Sequence, residues 1–269
     1  MKTRIFTGAV IAAVVAAAVV LVHFVPQLFQ LFASVVGTFL MVEVLYNTNL
    51  AKKWPLLIAA VAFLIVSMYF SIDFSTLMFL YLIFLIVYAV FWHDKVSLNE
   101  LCYAFTLPVY ITYSLRCLFY LLVVQLDGLF LLFILLSVTS IADIGAYFTG
   151  VLIGKHKMSP VISPKKTYEG LVGGIVFGEV AVFLVCFIFK HAVGYLTVNY
   201  VATLLFAPLL ILAGVLGDLF ASLVKRHAGI KDYGTIFPGH GGFMDRLDSI
   251  LAAVPLMLLF NSLVSFSGM

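Results

Sequence analysis

Long apolar runs, separated by short polar breaks, dominate this chain. Nine of the runs are close to the length at which a helix crosses the hydrocarbon core of a bilayer, which takes roughly 20 residues. They occupy residues 5–22, 28–46, 55–71, 74–92, 101–123, 128–152, 170–190, 199–222 and 247–265. Backbone that faces lipid must satisfy its own hydrogen bonds, so each run predicts a helix. The pattern therefore predicts an all-α polytopic membrane protein with about nine transmembrane helices.

The first run follows a basic start, Met1-Lys2-Thr3-Arg4, as the apolar part of a signal peptide would. However, the run from Ile5 to Val22 is near bilayer length, and the residues after it offer no small-residue cleavage site. We therefore interpret residues 5–22 as a retained first helix.

The composition excludes several classes of protein. Apolar residues make up 64% of the 269 positions and charged residues only 10%, against roughly 25% in an ordinary soluble domain. Such a chain cannot be a soluble enzyme, a disordered protein or a secreted disulfide scaffold. Its net charge of +3 is too small to indicate nucleic acid as a partner. The three cysteines lie in apolar runs without metal-ligand spacing, and they predict neither a disulfide nor a metal site.

The lysines and arginines predict the orientation of the nine helices. With the N-terminus in the cytoplasm, 13 of the 15 fall in cytoplasmic segments: Lys2, Arg4, Lys52, Lys53, Lys95, Lys155, Lys157, Lys165, Lys166, Lys225, Arg226, Lys231 and Arg246. This bias is typical of membrane proteins and predicts an extracytoplasmic C-terminus. We divide the chain into an N-terminal scaffold of four helices (1–96) and a catalytic region (97–269) whose polar cytoplasmic loops are 153–169 and 223–246.

The end of the eighth run carries a cluster of polar residues. Asp218, Ser222 and Arg226 follow one another at intervals of four, and Lys225 lies beside them, so the four can share one face of a helix. An acid within a membrane span usually faces a cavity, a partner or an ion. The alternative is structural: Asp218 pairs with Lys225 or Arg226 and closes the helix end.

Residues 231–248 add a glycine-rich loop and two further acids. Gly241 and Gly242 follow His240, and such a loop lets backbone N–H groups approach a phosphate. Asp245 and Asp248 are three residues apart at the start of the ninth helix, where they can also simply complement the helix dipole. Carboxylates beside basic residues are what a Mg²⁺–polyphosphate site requires, and the segment supplies Lys231 and Arg246 as well.

Two further features lie upstream. Lys165 and Lys166 precede the seventh run and suit either phosphate contact or anchoring at the membrane surface, while Thr167 can cap the helix that follows. Asp143 places a carboxylate inside the sixth run, a functional hypothesis by default. Glycines spaced by four along the seventh run predict close packing against another helix: Gly170, Gly174 and Gly178.

Together these segments resemble one family. The chain reads Ser222-x-Val224-Lys225-Arg226, then Lys231-Asp232-x-Gly234, then Phe237-Pro238-x-His240-Gly241-Gly242-Phe243-x-Asp245-Arg246-Leu247-Asp248. This is similar to the signature of the phosphatidate cytidylyltransferases, also called CDP-diacylglycerol synthases, of the bacterial type. Gly217-Asp218, Ala142–Tyr147 and Ser163–Gly170 also look like that family, although Tyr168 stands where Trp is common.

The resemblance implies a reaction and a set of roles. The family converts CTP and phosphatidate to CDP-diacylglycerol and pyrophosphate in phospholipid biosynthesis, with Mg²⁺. It implies Asp218 and Asp245 as Mg²⁺ ligands, and Asp248 as a ligand of a second cation or its waters. The remaining residues would hold the triphosphate or the lipid headgroup: Asp143, Lys165, Lys166, Ser222, Lys225, Arg226, Lys231, His240, Gly241, Gly242 and Arg246. The enzyme would lie in the bacterial inner membrane with its site facing the cytoplasm, and we expect a homodimer.

Two alternatives remain open at this point. A transporter or channel would explain acids within the membrane, but it would not explain the glycine- and lysine-rich cytoplasmic loop. An enzyme that uses CTP with another lipid, such as an ether-lipid cytidylyltransferase or a polyprenol kinase, would share the same chemistry.

Overall fold

The computed structural model describes residues 25–48, 50–193, 197–234 and 241–268. Within these ranges the chain forms nine α-helices, and a π-helical turn joins the fifth and the sixth into one apolar segment. The helices α1 to α9 are Pro26–Asn47, Trp54–Tyr69, Phe74–Phe91, Leu98–Phe119, Gly128–Leu136, Ala142–Ile153, Tyr168–Ile188, Tyr200–His227 and Met244–Leu263. The predicted first span, 5–22, and His240 lie outside the described residues.

Of the described helices, seven are long and apolar enough to cross a membrane: Gln27–Asn47, Phe74–Phe91, Leu98–Val124, Gly128–Ile153, Tyr168–Val193, Tyr200–His227 and Met244–Leu263. A shorter apolar helix, α2, has 16 residues. Large apolar side chains point outward along these helices; Val90, Leu152 and Val201 are 67%, 78% and 78% exposed. Helices that are apolar on their outer faces suit lipid rather than water. The chain is therefore a polytopic membrane protein.

The predicted spans from 28–46 onward correspond to described helices one by one. Their ends have local causes. Asp73 caps the start of α3, since its carboxylate accepts a hydrogen bond from the Thr76 N–H at 3.1 Å. Pro55 stands in the first turn of α2, where its missing N–H costs no hydrogen bond. The count of nine spans and the orientation of the termini stay predictions.

The sixth span is continuous but irregular. A π-helical turn, Ser137–Ile141, joins α5 to α6, and the hydroxyls of Ser137 and Thr139 bond back to carbonyls four residues earlier. A π-helical turn shifts the face on which later residues project. Asp143 lies two residues after this turn and thus projects from a different side than a regular helix would give it.

Four short strands interrupt the helices in the described part of the chain, and the all-α expectation does not include them. Strands β1 (Lys157–Ser159) and β2 (Ser163–Thr167) form an antiparallel hairpin between α6 and α7, with Lys157 opposite Thr167. The predicted polar loop 153–169 is therefore largely this hairpin. Strands β3 (Thr197–Val198) and β4 (Ser267–Gly268) pair antiparallel. Ser267 also donates a hydrogen bond of 2.6 Å to the buried Asp127.

The described residues fall into two compact units. The first belongs to Met1–Phe119 and His227–Arg246, and the second to Tyr120–Arg226 and Leu247–Met269. The first unit has a core of fully buried side chains from α1, α2 and α4: Leu40, Met41, Leu64, Leu107 and Ile111. The predicted functional division at residues 96 and 97 stays a prediction.

Glycines bring α6 and α7 together in the second unit, as their spacing predicts. A Cβ on Gly174 would lie 2.9 Å from the Ala142 carbonyl oxygen, and one on Gly170 would lie 2.8 Å from that of Ala146. Gly178 meets Ala142 and Ile211 in the same way. This glycine face therefore packs within the chain, against its own neighbours.

Candidate active site

A cavity of about 720 Å³ opens in the second unit. Its walls come from α6, the β1–β2 hairpin, the start of α7 and the middle of α8. The polar and charged residues that line it are Asp143, Tyr147, Lys157, Ser163, Lys165, Lys166, Thr167 and Asp218. Four of these were expected from the sequence as site residues: Asp143, Lys165, Lys166 and Asp218.

The hairpin is tied down at both of its ends. Thr167, which is buried, caps α7 by accepting a hydrogen bond from the Gly170 N–H at 3.0 Å, as the sequence predicts. Glu169 accepts hydrogen bonds from the His156 backbone N–H at 3.2 Å and lies 2.6 Å from the His156 ring Nδ1. These contacts fix where the chain enters and leaves the hairpin, and so they place Lys165 and Lys166 over the cavity.

The closest charged contact in the cavity joins the hairpin to α8. Lys166 Nζ lies 2.7 Å from Asp218 Oδ2, and the Ser222 hydroxyl donates to the other carboxylate oxygen at 3.3 Å. The structural alternative from the sequence paired Asp218 with Lys225 or Arg226. The structure gives Asp218 a lysine from the hairpin. Arg226 donates through Nε to the Ile162 carbonyl at 3.3 Å, in the turn of the same hairpin.

Asp248 lies near this pair because α8 and α9 approach closely. A Cβ on Gly217 would lie 2.5 Å from both Ala252 Cβ and the Asp248 carbonyl oxygen, so only glycine permits this distance. Asp248 is buried, and its carboxylate accepts a hydrogen bond of 2.8 Å from the Ser249 N–H. Its electrostatic neighbours are Asp218, Lys225 and Asp143.

The second unit therefore brings together eight of the residues expected in the site. Ser222 and Arg226 belong to this group. Its other members are three carboxylates and three lysines: Asp143, Asp218, Asp248, Lys165, Lys166 and Lys225. Ser222 and Lys225 are buried. The sequence missed Tyr147, Lys157, Ser163 and Thr167 as cavity residues. The last three reach the cavity through the fold of the hairpin, and Tyr147 reaches it from α6.

The other predicted site residues that the structure describes belong to the first unit. Asp245 Oδ2 accepts hydrogen bonds from the backbone N–H groups of Gly242 at 3.0 Å and Tyr233 at 2.9 Å. Gly241 has a φ of +83°, which favours glycine, and a Cβ there would lie 2.8 Å from the Asp245 carboxylate. Lys231 and Arg246 are exposed on either side of this turn.

The donor set fits a divalent cation whose other ligands are mostly waters and phosphate oxygens. Among the described residues, no three His, Cys, Asp or Glu side chains are close enough to form a metal site by themselves. Mg²⁺ is usually held by one or two carboxylates together with waters and phosphate oxygens. Asp143, Asp218 and Asp248 supply hard oxygen atoms for a cation, and Lys165, Lys166 and Lys225 beside them supply positive charge for phosphate. A Mg²⁺–phosphate complex suits this arrangement.

Comparison with known proteins agrees with this chemistry. The family model described as "Cytidylyltransferase family" matches residues 2–264. A phosphatidate cytidylyltransferase of Bacillus subtilis is 35% identical over an alignment of 277 positions, gaps included, which covers 98% of this chain and 99% of that protein. One from Haemophilus influenzae is 40% identical over 136 residues, 49% of this chain and 46% of its own length. One from Mycobacterium tuberculosis is 48% identical over 110 residues, 41% of this chain and 32% of its own. The chain thus belongs to the cytidylyltransferase family.

Proposed function

We propose that this chain joins CTP to phosphatidate within the membrane. A phosphate oxygen of phosphatidate attacks the α-phosphorus of CTP, the bond from that phosphorus to the oxygen bridging to the β-phosphate breaks, and CDP-diacylglycerol and pyrophosphate are formed. One observation carries the proposal: a 720 Å³ cavity holds Lys165, Lys166 and Asp218 in a chain that aligns almost end to end with a phosphatidate cytidylyltransferase.

Both substrates are polyanions, so the first task of the protein is to hold them close together. Lys165 and Lys166 line the cavity, and Arg226 reaches the same hairpin. We propose that these three bind the triphosphate, with Ser222 and Lys225 as further phosphate contacts and Asp143 on the substrate-facing wall. Preorganised cations of this kind stabilise charge that develops on transferring phosphoryl groups. In the first unit, Lys231, Arg246 and the backbone of Gly241 and Gly242 are proposed to contact phosphate, as is His240.

The reaction needs no strong general base. The second pKa of a phosphate monoester is about 6, so the phosphatidate oxygen is already ionised near pH 7. The main contribution of the protein is then to place the phosphatidate oxygen in line with the α-phosphorus of CTP and the departing pyrophosphate. His240 is accordingly proposed as a phosphate contact rather than a proton acceptor.

Mg²⁺ is the proposed cofactor. Asp218 and Asp245 are proposed as its ligands, and Asp248 as the residue that binds a second cation or orients its waters. When bound, Mg²⁺ would neutralise phosphate charge and stabilise the departing pyrophosphate. Lys166, which pairs with Asp218 at 2.7 Å, is proposed to contact the triphosphate of CTP when the substrate binds.

The membrane setting completes the proposal. Phosphatidate stays in the bilayer and CTP is water-soluble, so the cavity must be reached from both. We propose the bacterial inner membrane, with nine spans and with the hairpin and residues 223–246 on the cytoplasmic side, because most lysines and arginines lie in these segments. A homodimer is part of the proposal, and it rests on exposed apolar faces, since the glycines of α7 pack within the chain. Light scattering of the detergent-solubilised protein decides its oligomeric state.

Radiolabelled CTP tests the reaction directly. Purified protein in detergent micelles with phosphatidate and Mg²⁺ should transfer label from [α-³²P]CTP into a chloroform-soluble lipid and release one pyrophosphate for each lipid formed. No labelled lipid would contradict the proposal.

The same assay separates the related lipid enzymes. A polyprenol kinase would transfer label from [γ-³²P]CTP to its lipid and release CDP, whereas a cytidylyltransferase releases that label as pyrophosphate. A panel with diacyl and diether phosphates distinguishes the two cytidylyltransferases by kcat/KM. Solute flux into vesicles without turnover would instead indicate a transporter.

A further inference from the structure

One face of α1 contacts the segment that leads into the last helix. Phe39, Glu43 and Asn47 are spaced by four residues and so lie above one another on this face. The ring of Phe39 stacks on that of Phe243, with centroids 5.5 Å apart and planes inclined by 15°. The Asn47 side-chain amide donates to the Tyr233 carbonyl oxygen at 2.5 Å. These contacts all lie within the first unit.

Glu43 makes the central contact of the three. Its side chain is only 7% exposed. Its Oε1 accepts a hydrogen bond from the Phe243 N–H at 3.2 Å, and its Oε2 accepts one from the Met244 N–H at 2.9 Å. The first N–H groups of a helix have no partner inside the helix, and a carboxylate there also complements the helix dipole. Phe243 has no side-chain acceptor, so Glu43 caps α9 from another helix.

The glycines of the signature segment make room for this carboxylate. A Cβ at either Gly234 or Gly242 would overlap Glu43 Oε1. The N–H of Gly242 is also one of the two that bind the Asp245 carboxylate. The same turn is therefore held on one side by Glu43 and on the other by Asp245. Moving the Glu43 carboxylate would disturb the backbone on which the Asp245 contact depends.

We propose that Glu43 is a positioning residue for cytidylyl transfer: it fixes the backbone of residues 242–244 and thereby sets the orientation of Asp245. This inference rests on the proposed function. The sequence alone assigned this helix to the scaffold, because Glu43 lies in an apolar run about 200 residues before the segment that it contacts. The proposal gives the helix a specific role in the reaction.

The test compares two glutamates of the transmembrane helices. Glu43→Gln keeps the size of the side chain but leaves one acceptor for two N–H groups. Glu179→Gln is the matched control, since Glu179 lies in α7, outside the cavity and outside the first unit. We expect Glu43→Gln to lower kcat about tenfold or more, with KM for CTP changed less than about threefold, because positioning acts on the transition state. The control should keep wild-type kcat.

A second measurement does not depend on turnover. Glu43→Ala removes both acceptors, so amide hydrogen exchange at Phe243 and Met244 should become faster by about tenfold or more than in the wild type. Gel filtration and the melting temperature in detergent show whether each variant is folded, and kcat is calculated per folded molecule.

The outcomes separate three conclusions. A kcat of Glu43→Gln within about twofold of wild type, or one that falls only with the folded fraction, would show a structural role and overturn the proposal. Unchanged exchange at Phe243 and Met244 in Glu43→Ala would overturn the contact itself. Absence of lipid product from the wild type would overturn the proposed function instead, and the exchange data would still decide whether Glu43 holds the turn.

Discussion

Lys166 and Asp218 form an ion pair of 2.7 Å across the cavity, between the β1–β2 hairpin and α8. Their side chains are 20% and 30% exposed, so the pair can still be reached by a ligand. The Lys166 ammonium also lies 3.4 Å from the Val215 carbonyl oxygen. An anion that enters the cavity therefore meets a lysine already held between a carboxylate and a backbone carbonyl.

Removal of the Lys166 charge should impair the reaction strongly. We expect Lys166→Gln to lower kcat/KM for CTP about 100-fold, since it removes a charge contact to phosphate and leaves Asp218 without its lysine partner. Initial rates with labelled CTP measure this loss. Lys155→Gln is the control, because Lys155 belongs to the same polar segment but does not line the cavity. Equal losses in the two variants would mean that only the total positive charge matters.

Asp248 should control how the reaction depends on the metal. Chelation with EDTA should abolish turnover, and added Mg²⁺ should restore it. In Asp248→Asn, which removes the carboxylate near Asp218, we expect kcat to fall about 100-fold and the Mg²⁺ concentration for half-maximal rate to rise about tenfold. Asp94→Asn, an exposed change outside the cavity, should leave both values unchanged. A wild-type Mg²⁺ titration in Asp248→Asn would contradict the assignment.

The helices were predictable because lipid imposes a strong and local pattern. Predicted spans such as 74–92 and 128–152 correspond to Phe74–Phe91 and Gly128–Ile153 within a residue or two. Each depends only on a run of apolar residues that must satisfy its own backbone hydrogen bonds. The close packing of α6 and α7 was also predictable, since glycines at intervals of four leave a groove along one helix face.

Contacts between distant segments could not be predicted in this way. The pairing of Lys166 with Asp218 depends on the fold of the β1–β2 hairpin. The residues of this hairpin show no alternation of apolar and polar positions that would predict a strand. Asp218 thus had nearer candidate partners in its own helix. Glu43 is an acid in an apolar run, but nothing local in the sequence connects it with Phe243 and Met244. Partner choice over such separations follows from the packed structure.

Two glycines of α8 should respond differently to alanine. A Cβ on Gly217 would lie 2.5 Å from Ala252 Cβ and from the Asp248 carbonyl oxygen, whereas one on Gly214 would meet Ser249 and Thr139 at 3.6 to 3.7 Å, an ordinary contact. We expect Gly217→Ala to destabilise the fold by about 1–3 kcal/mol through overpacking. Gly214→Ala should be neutral or slightly stabilising. Melting temperatures in detergent test this, and equal shifts in the two variants would contradict it.

Thr167 should link the stability of α7 to the binding of CTP. Its hydroxyl caps the helix at the Gly170 N–H, and the residue follows Lys166 directly along β2. Thr167→Val keeps the shape but removes the acceptor, which should cost about 1 kcal/mol of stability. Because β2 also carries Lys165 and Lys166, loosening this end of the hairpin should raise KM for CTP several-fold and change kcat less.

Thr167→Ser is the matched variant, because it keeps the capping hydroxyl and loses only a methyl group. We expect its KM for CTP to stay close to that of the wild type, with a small loss of melting temperature from the cavity that the methyl leaves. Steady-state kinetics at saturating phosphatidate measure both variants. If Ser raises KM and Val does not, packing of the methyl group, and not the hydrogen bond to Gly170, positions the lysines of the hairpin.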